Sequence, residues 1–329
     1  MAASILIDLQ RDMDAGRVRD AARRLIAAAA QADPAALAEL AHWRIGGDIL
    51  KRDLPAARAL LARASGAGDR ASALLHAYFL AAGVGGAGDW PAAIGALRTL
   101  AADDPGSAAQ LRLIEAMDLN DEGGPKARPR AEPLSERPYA IVCRQLLSAA
   151  ECDHLRDVGA PSLQPTLVID PASGRQIPHP VRRSEGMTFG VYAEDLVVNA
   201  INRRIAAFSG TTFEQGEPLQ LLRYRPGDEY RAHLDGIANE PNQRILTVLI
   251  YLSDDYAGGE TSFVRTGLDF KGRKGDALLF RNVDDVDRPD PLSLHAGLPV
   301  TGGVKLIASR WIRRSRFVYP PPVPLLPDL

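Results

Sequence analysis

From residue 1 to about 118, apolar residues recur three and four positions apart, as in "AARRLIAAAAQA" and "ALLARASGAG", and β-branched runs are lacking. That periodicity predicts helices throughout. Past residue 138 the pattern changes to short runs rich in β-branched and aromatic residues: "PLQLLRY", "YRAHLD", "ILTVLIYL", "TSFV", "DALLF", "LSLHAGLPV" and "VKLIASRWIRR". Turn sequences such as "RPGDE", "DDYAGGE" and "GRKGD" separate them, so they read as strands. Two helices are expected ahead of the strands, over "SAAECDHLRDVG" and "AEDLVVNAINRRIAAFSG", the first with Ser148 and Glu151 in capping-box spacing. Between the two patterns, residues 119–137 are dense in Gly, Pro and charge and predict a linker. The expected architecture is a two-domain α+β chain: an all-α repeat domain over 1–118, the linker, and an antiparallel double-sheet barrel of jelly-roll type over 138–329.

The helical half repeats itself. "RDLPAARALLARASGAGDRASALL" from Arg52 and "GDWPAAIGALRTLAADDPGSAAQL" from Gly88 superimpose at a shift of 36 residues, with Asp53 on Asp89, Pro55 on Pro91 and Asp69 on Pro105. A third unit begins near Ala15. An Asp near a helix start, a Pro in the first turn and small residues elsewhere suit helix pairs that bury their apolar faces on neighbouring pairs. The pattern resembles the tetratricopeptide and Sel1-like repeats, which implies a surface that binds protein or peptide.

Composition narrows the functional classes. With 46% apolar and 24% charged residues the chain is globular, and a net charge of −2 gives no electrostatic case for binding nucleic acid or a membrane surface. Two cysteines, Cys143 and Cys152, make no disulfide framework. The N-terminal stretch has acids where a signal peptide needs basic residues, so a cytoplasmic protein is expected. Only five lysines occur, among many arginines.

The candidate chemistry sits in "YRAHLDGIANEPNQRILTVLIYL". On a strand, His233 and Asp235 project to one face and Leu234 to the other. An imidazole beside a carboxylate is two thirds of the facial triad that holds Fe(II) with positions left open. His154, His179 and His295 are the candidates for the third ligand. His154 falls in an expected helix and His179 between prolines, whereas His295 lies in a strand-like run and is preferred. Ten residues on, Lys305 stands in an apolar strand pattern of a chain that otherwise favours arginine, and a buried ammonium there needs an anion such as a cosubstrate carboxylate.

These residues share a frame: "YRPGDEYRAHLD", "RILTVLIYL", "GGETSF", "KGDALLF", "HAGLPV" and "KLIASRW", preceded by "VRRSEGM". Residues from about 138 to 316 thereby resemble the 2-oxoglutarate- and Fe(II)-dependent oxygenases, above all the prolyl 4-hydroxylase branch, whose fold is a double-stranded β-helix of the cupin kind. The resemblance implies iron bound by His233, Asp235 and His295. It implies 2-oxoglutarate held by Lys305 with Tyr251 and Tyr224, and substrate oriented or walled by Arg244, Trp311, Tyr230 and Arg183. It further implies O2 as co-reactant, ascorbate as reductant and succinate and CO2 as products. The substrate expected is a prolyl or other residue in a peptide or protein recruited by the repeats, with a free amino acid or carrier-bound small molecule as the alternative. The acidic stretch "NVDDVDRPDP" reads as a solvated loop, and the Pro-rich "YPPPVPLLPDL" as a tail along the surface.

Overall fold

The computed structural model describes residues 2–169, 176–178, 181–319 and 321–329. They form two compact units, Met1–Gly123 with Val318–Leu329, and Gly124–Phe317. His179 lies outside the described residues.

The first unit is built from seven helices, Ala2–Asp14, Val18–Ala30, Pro34–Gly46, Leu54–Gly66, Arg70–Ala82, Trp90–Ala101 and Pro105–Ala116, each packed on the next along the middle of the chain. Five of them start on an Asp cap: the carboxylates of Asp33, Asp53, Asp69, Asp89 and Asp104 each accept the amide N–H three residues on. Each cap contributes about 1 kcal/mol. Asp69 is therefore equivalent to Asp104, not to Pro105 as a constant shift of 36 implies. The register slips by one residue because the cap, not the proline, fixes where a helix begins. Fully buried alanines, among them Ala22, Ala36, Ala57, Ala64, Ala77 and Ala93, let neighbouring helices approach closely.

The Pro-rich tail belongs to this unit. Leu325 and Leu326 donate their N–H groups to the carbonyls of Asp48 and Ile49, both at 2.8 Å, and Leu326 forms a parallel bridge with fully buried Leu50. Pro321 and Val323 are exposed, as a surface tail requires, but Leu326 is buried. The barrel's unit ends at Phe317 rather than running to residue 329, because the tail finds its backbone partners among the helices.

Among the described residues the second unit carries two main sheets, beside two-stranded pairs of Ala257–Gly258 with Val300–Gly302 and of Leu167–Ile169 with Gln176–Pro178. The larger has eight strands in the order Glu132–Glu136, Tyr139–Cys143, Ala277–Arg281, Arg244–Tyr251, Lys305–Arg313, Gln220–Tyr224, Glu185–Thr188, Gln164–Pro165. The smaller has four: Leu268–Phe270, Thr261–Phe263, His295–Gly297, Tyr230–His233. Adjacent strands pair antiparallel in both. Side chains of the two inner faces meet in one core of Val142, Leu222, Tyr224, Leu249, Tyr251, Phe263, Phe270, Leu278, Phe280, Val300 and Ile307. This is the expected jelly-roll arrangement. The first strand, Glu132–Glu136, occupies sequence read as linker; it is an edge strand with no buried residue, so its polar composition hides it. The two expected helices form at Ala149–Gly159 and Leu196–Ser209, and Ser148 and Glu151 complete the capping box.

Candidate metal and cosubstrate site

Strand register brings the histidines together. His295 is the direct antiparallel partner of His233, and their rings lie 4.3 Å apart between centroids. The strand stops at His233, however, so Asp235 is not carried by strand alternation. A bend at Asp235 and Gly236 follows, with Asp235 still lining the same cavity, and Gly236 packs closely on the next loop: a Cβ there would stand 3.1 Å from the carbonyl oxygen of Asn282.

The ring nitrogens are poised for a metal. Nδ1 of His233 lies 2.8 Å from the Arg231 carbonyl and Nδ1 of His295 lies 3.0 Å from that of Ser293. A carbonyl only accepts, so each Nδ1 carries the proton and each Nε2 keeps a lone pair. Nε2 of His233 is 3.6 Å from Oδ1 of Asp235, and Nε2 of His295 is 3.7 Å from Oδ2. One ligand atom from each residue falls within 4.8 Å of the others, close enough to share an ion. Burial, and then the neighbouring His295 ring, hold the His233 imidazole down to about 4, so it is neutral and ready to ligate near pH 7. Burial alone would raise the carboxyl of Asp235, yet the two imidazoles and the Thr247 hydroxyl outweigh it and keep the acid below the usual range.

The same cavity is walled by Lys305, Tyr224, Tyr230, Thr261, Trp311 and Arg182, with Leu222, Leu249 and Ile307 as its apolar floor. Lys305, paired in register with Tyr224, is 3% exposed and donates one hydrogen bond, to the Gly259 carbonyl at 2.6 Å. Burial depresses its ammonium to about 8. An ammonium has three donors, and among the described residues one is matched, so the site fits an incoming carboxylate.

The other expected residues divide between the cavity wall and positions away from it. Tyr251 is fully buried one layer behind the cavity wall: its hydroxyl is 2.9 Å from that of Thr261, and its ring presses on Gly272, where a Cβ would come within 2.4 Å. The Lys305 ammonium lies 5.7 Å from the centroid of the same ring. Tyr230 stacks on His233 at 3.5 Å, and Trp311 is on the wall as expected. Arg183 is exposed, whereas its neighbour Arg182 reaches the cavity and sits 5.3 Å over the Tyr230 ring. The bridge between Arg182 and Tyr230 sets that alternation, which "VRRSEGM" alone does not reveal. Arg244 is not on the wall either. Its guanidinium forks onto Glu217 at 2.6 and 2.9 Å and stacks 3.8 Å from the Trp311 ring, so it supports the wall from behind. His154 is engaged elsewhere, 2.8 Å from Asp195.

Two histidines and a carboxylate facing a buried ammonium across a barrel cavity define an oxygenase that uses Fe(II) and a 2-oxo acid. Residues 219–313 match the profile of the 2OG-Fe(II) oxygenase superfamily. Prolyl 4-hydroxylase 1 of Arabidopsis thaliana is 37% identical over 206 residues, 56% of this chain and 72% of that protein. Probable prolyl 4-hydroxylase 3 of the same plant is 34% identical over 226 residues, 61% and 78% of the two chains. A viral collagen prolyl hydroxylase from Paramecium Bursaria Chlorella virus-1, solved with 2OG, is 30% identical; the match covers 54% of this chain and 97% of that one, with a TM-score of 0.44. The chain belongs to the 2OG-Fe(II) oxygenase superfamily, in its prolyl 4-hydroxylase-like family. It is an Fe(II)- and 2-oxoglutarate-dependent dioxygenase.

Proposed function

We propose that this chain hydroxylates a prolyl residue in a peptide or protein, consuming O2 and 2-oxoglutarate and releasing succinate and CO2. The observation that carries the reading is the Lys305 ammonium, buried with one carbonyl partner on the same cavity wall as His233, Asp235 and His295. Lys305 takes the distal carboxylate of 2-oxoglutarate, with Tyr224 and Thr261 beside it and Tyr251 fixing Thr261 from behind. His233, Asp235 and His295 would hold the iron, with the cavity beside them open to the 2-oxo acid and O2. Bound iron would activate O2, the oxidant, so that one of its oxygen atoms replaces C–H by C–OH while the other enters succinate as 2-oxoglutarate loses CO2. Leu222, Leu249 and Ile307 exclude water from the reacting atoms. Tyr230 and Arg182 line the mouth where a substrate chain enters, and Arg244, clamped by Glu217, holds Trp311 as its opposite wall.

The relatives named above as prolyl 4-hydroxylases support a prolyl substrate. The helical unit, with its repeated Asp-capped pairs, is the part suited to recruit that substrate as a tetratricopeptide-like array. Ascorbate keeps the iron reduced between turnovers in this scheme. The buried free thiols Cys143 and Cys152 accord with a cytoplasmic setting.

The test is succinate release from 2-oxoglutarate by the full chain with Fe(II), ascorbate and O2, with and without a panel of proline-containing peptides. Stimulation by at least one peptide supports the proposal. Stimulation by free amino acids alone would replace it with small-molecule hydroxylation.

A further inference from the structure

Asp235 does not stand alone behind the ion site. Its Oδ2 lies 2.6 Å from Oγ1 of Thr247, and the Thr247 oxygen lies 2.9 Å from Nδ2 of Asn282. Thr247 and Asn282 are both fully buried. A carboxylate can only accept and a hydroxyl has one proton, so that proton goes to Asp235. The Thr247 lone pairs are then left to accept from the Asn282 amide, which fixes the direction of the whole chain: Asn282 donates to Thr247, and Thr247 donates to Asp235. The 3.2 Å approach of the Thr247 hydroxyl to Oδ1 of Asn282 is not a second bond, because the proton is already committed.

Asn282 is itself held rigidly. Its N–H donates to the Ile245 carbonyl at 2.9 Å and its carbonyl accepts from the Asp290 N–H at 2.9 Å, while the Asp290 carbonyl accepts in turn from the Ser293 hydroxyl at 2.8 Å and the Ser293 N–H at 2.9 Å. The carbonyl of that same Ser293 takes Nδ1 of His295. One buried network therefore fixes the carboxylate of Asp235 and the ring of His295, and it opens and closes the acidic loop that precedes His295.

We infer that Thr247 and Asn282 are positioning residues for the metal-ligating carboxylate: the directed Asn282–Thr247–Asp235 chain commits Oδ2 to a hydroxyl and leaves Oδ1, the oxygen facing His233, for the metal. The inference rests on the iron reading of the site. Thr247 makes the choice of oxygen, and Asn282 makes the choice of Thr247 rotamer.

The experiment is calorimetric titration of the metal-free full chain with Mn(II), together with the visible spectrum of the Co(II)-loaded protein. Neither readout needs turnover. Thr247→Val, of equal shape and without the hydroxyl, is expected to weaken Mn(II) binding about 10- to 100-fold, the range for loss of an outer-shell partner. Its Co(II) spectrum shifts as both carboxylate oxygens become available. Thr247→Ser, which keeps the hydroxyl, restores affinity to within about threefold of the parent, and the double variant Thr247→Val/Asn282→Ala binds no more weakly than Thr247→Val alone. Parent-like affinity and spectrum in folded Thr247→Val, or a serine variant as weak as the valine, overturns the inference. If Thr247→Val does not fold, Asn282→Ala decides: weakening beyond about threefold supports the chain and unchanged affinity overturns it. A parent protein that binds no Mn(II) would instead sink the metal reading itself, which separates the two failures.

Discussion

Lys305 and Tyr224 are direct partners on adjacent antiparallel strands, and the Lys305 ammonium lies 5.5 Å over the Tyr224 ring inside the cavity that holds the His233–Asp235–His295 cluster. That pairing fixes a cation at one place on the wall, and the separate pairing of His295 with His233 fixes the metal ligands at another. A 2-oxo dicarboxylate spans such a site, with one end for each.

The ammonium predicts a pH dependence. Burial lowers Lys305 to about 8 in the free chain, and an anionic cosubstrate needs the protonated form. Binding should be level below that pH and weaken by up to about tenfold per unit above it, as one proton is taken up on binding. Lys305→Arg, which stays charged, removes the alkaline loss while binding more weakly at neutral pH, since a planar fork replaces a compact ammonium. Titrations of the cosubstrate requirement between about pH 7 and about pH 9.5 check both.

Lys305→Ala separates cosubstrate from metal. Loss of a buried charge partner costs about 3–5 kcal/mol, so the 2-oxoglutarate requirement should rise by roughly two to four orders of magnitude. Mn(II) affinity should hardly change. An unaltered 2-oxoglutarate requirement removes the lysine from the site.

Asp235→Ala does the opposite. With two imidazoles left, metal affinity should fall by more than the roughly 10- to 100-fold expected for an outer-shell change. Equilibrium dialysis against Mn(II) reads this directly, and full retention of affinity contradicts the ligand assignment.

Glu217 gives a stability prediction away from the metal. It is 7% exposed and takes Nε and Nη2 of Arg244 together with Nε of Arg313 at 2.6 Å. Glu217→Ala leaves two guanidinium groups, that of Arg313 buried and that of Arg244 largely so, without their shared anion, and the cost is about 3–5 kcal/mol. Urea unfolding measures it. The same variant frees Arg244 from its stack on Trp311, so a loss of substrate affinity should accompany the loss of stability.

Much of this site is legible in the sequence because its polar residues interrupt otherwise apolar strand patterns. His295 and Lys305 stand out in that way, and the lysine does so twice in a chain with only five. Asp235 is harder: strand alternation predicts its face, yet the strand ends at His233 and a bend carries the carboxylate into the cavity. Arg182 and Arg183 show the limit of a local reading, since the isolated bridge to Tyr230 decides which one turns inward. Arg244 finds Glu217 and Trp311 far along the chain, and neither partner is signalled by its own neighbours. Asn282 is the instructive miss. It opens a stretch of acids that reads as solvated, but it is fully buried and bonded to Thr247. In the helical unit the Asp caps were visible, while the burial of Leu326 against Leu50 depends on a pairing no periodicity encodes.

The central claim is that this barrel couples 2-oxoglutarate oxidation to hydroxylation of a peptidyl proline. The most direct measurement is mass spectrometry of a stimulating proline peptide after turnover under labelled O2, with succinate counted alongside. The account predicts that the peptide gains one labelled oxygen on a prolyl ring for each succinate formed and that Lys305→Ala abolishes both at ordinary 2-oxoglutarate concentrations. Succinate formed while every peptide in the panel remains unlabelled would contradict it.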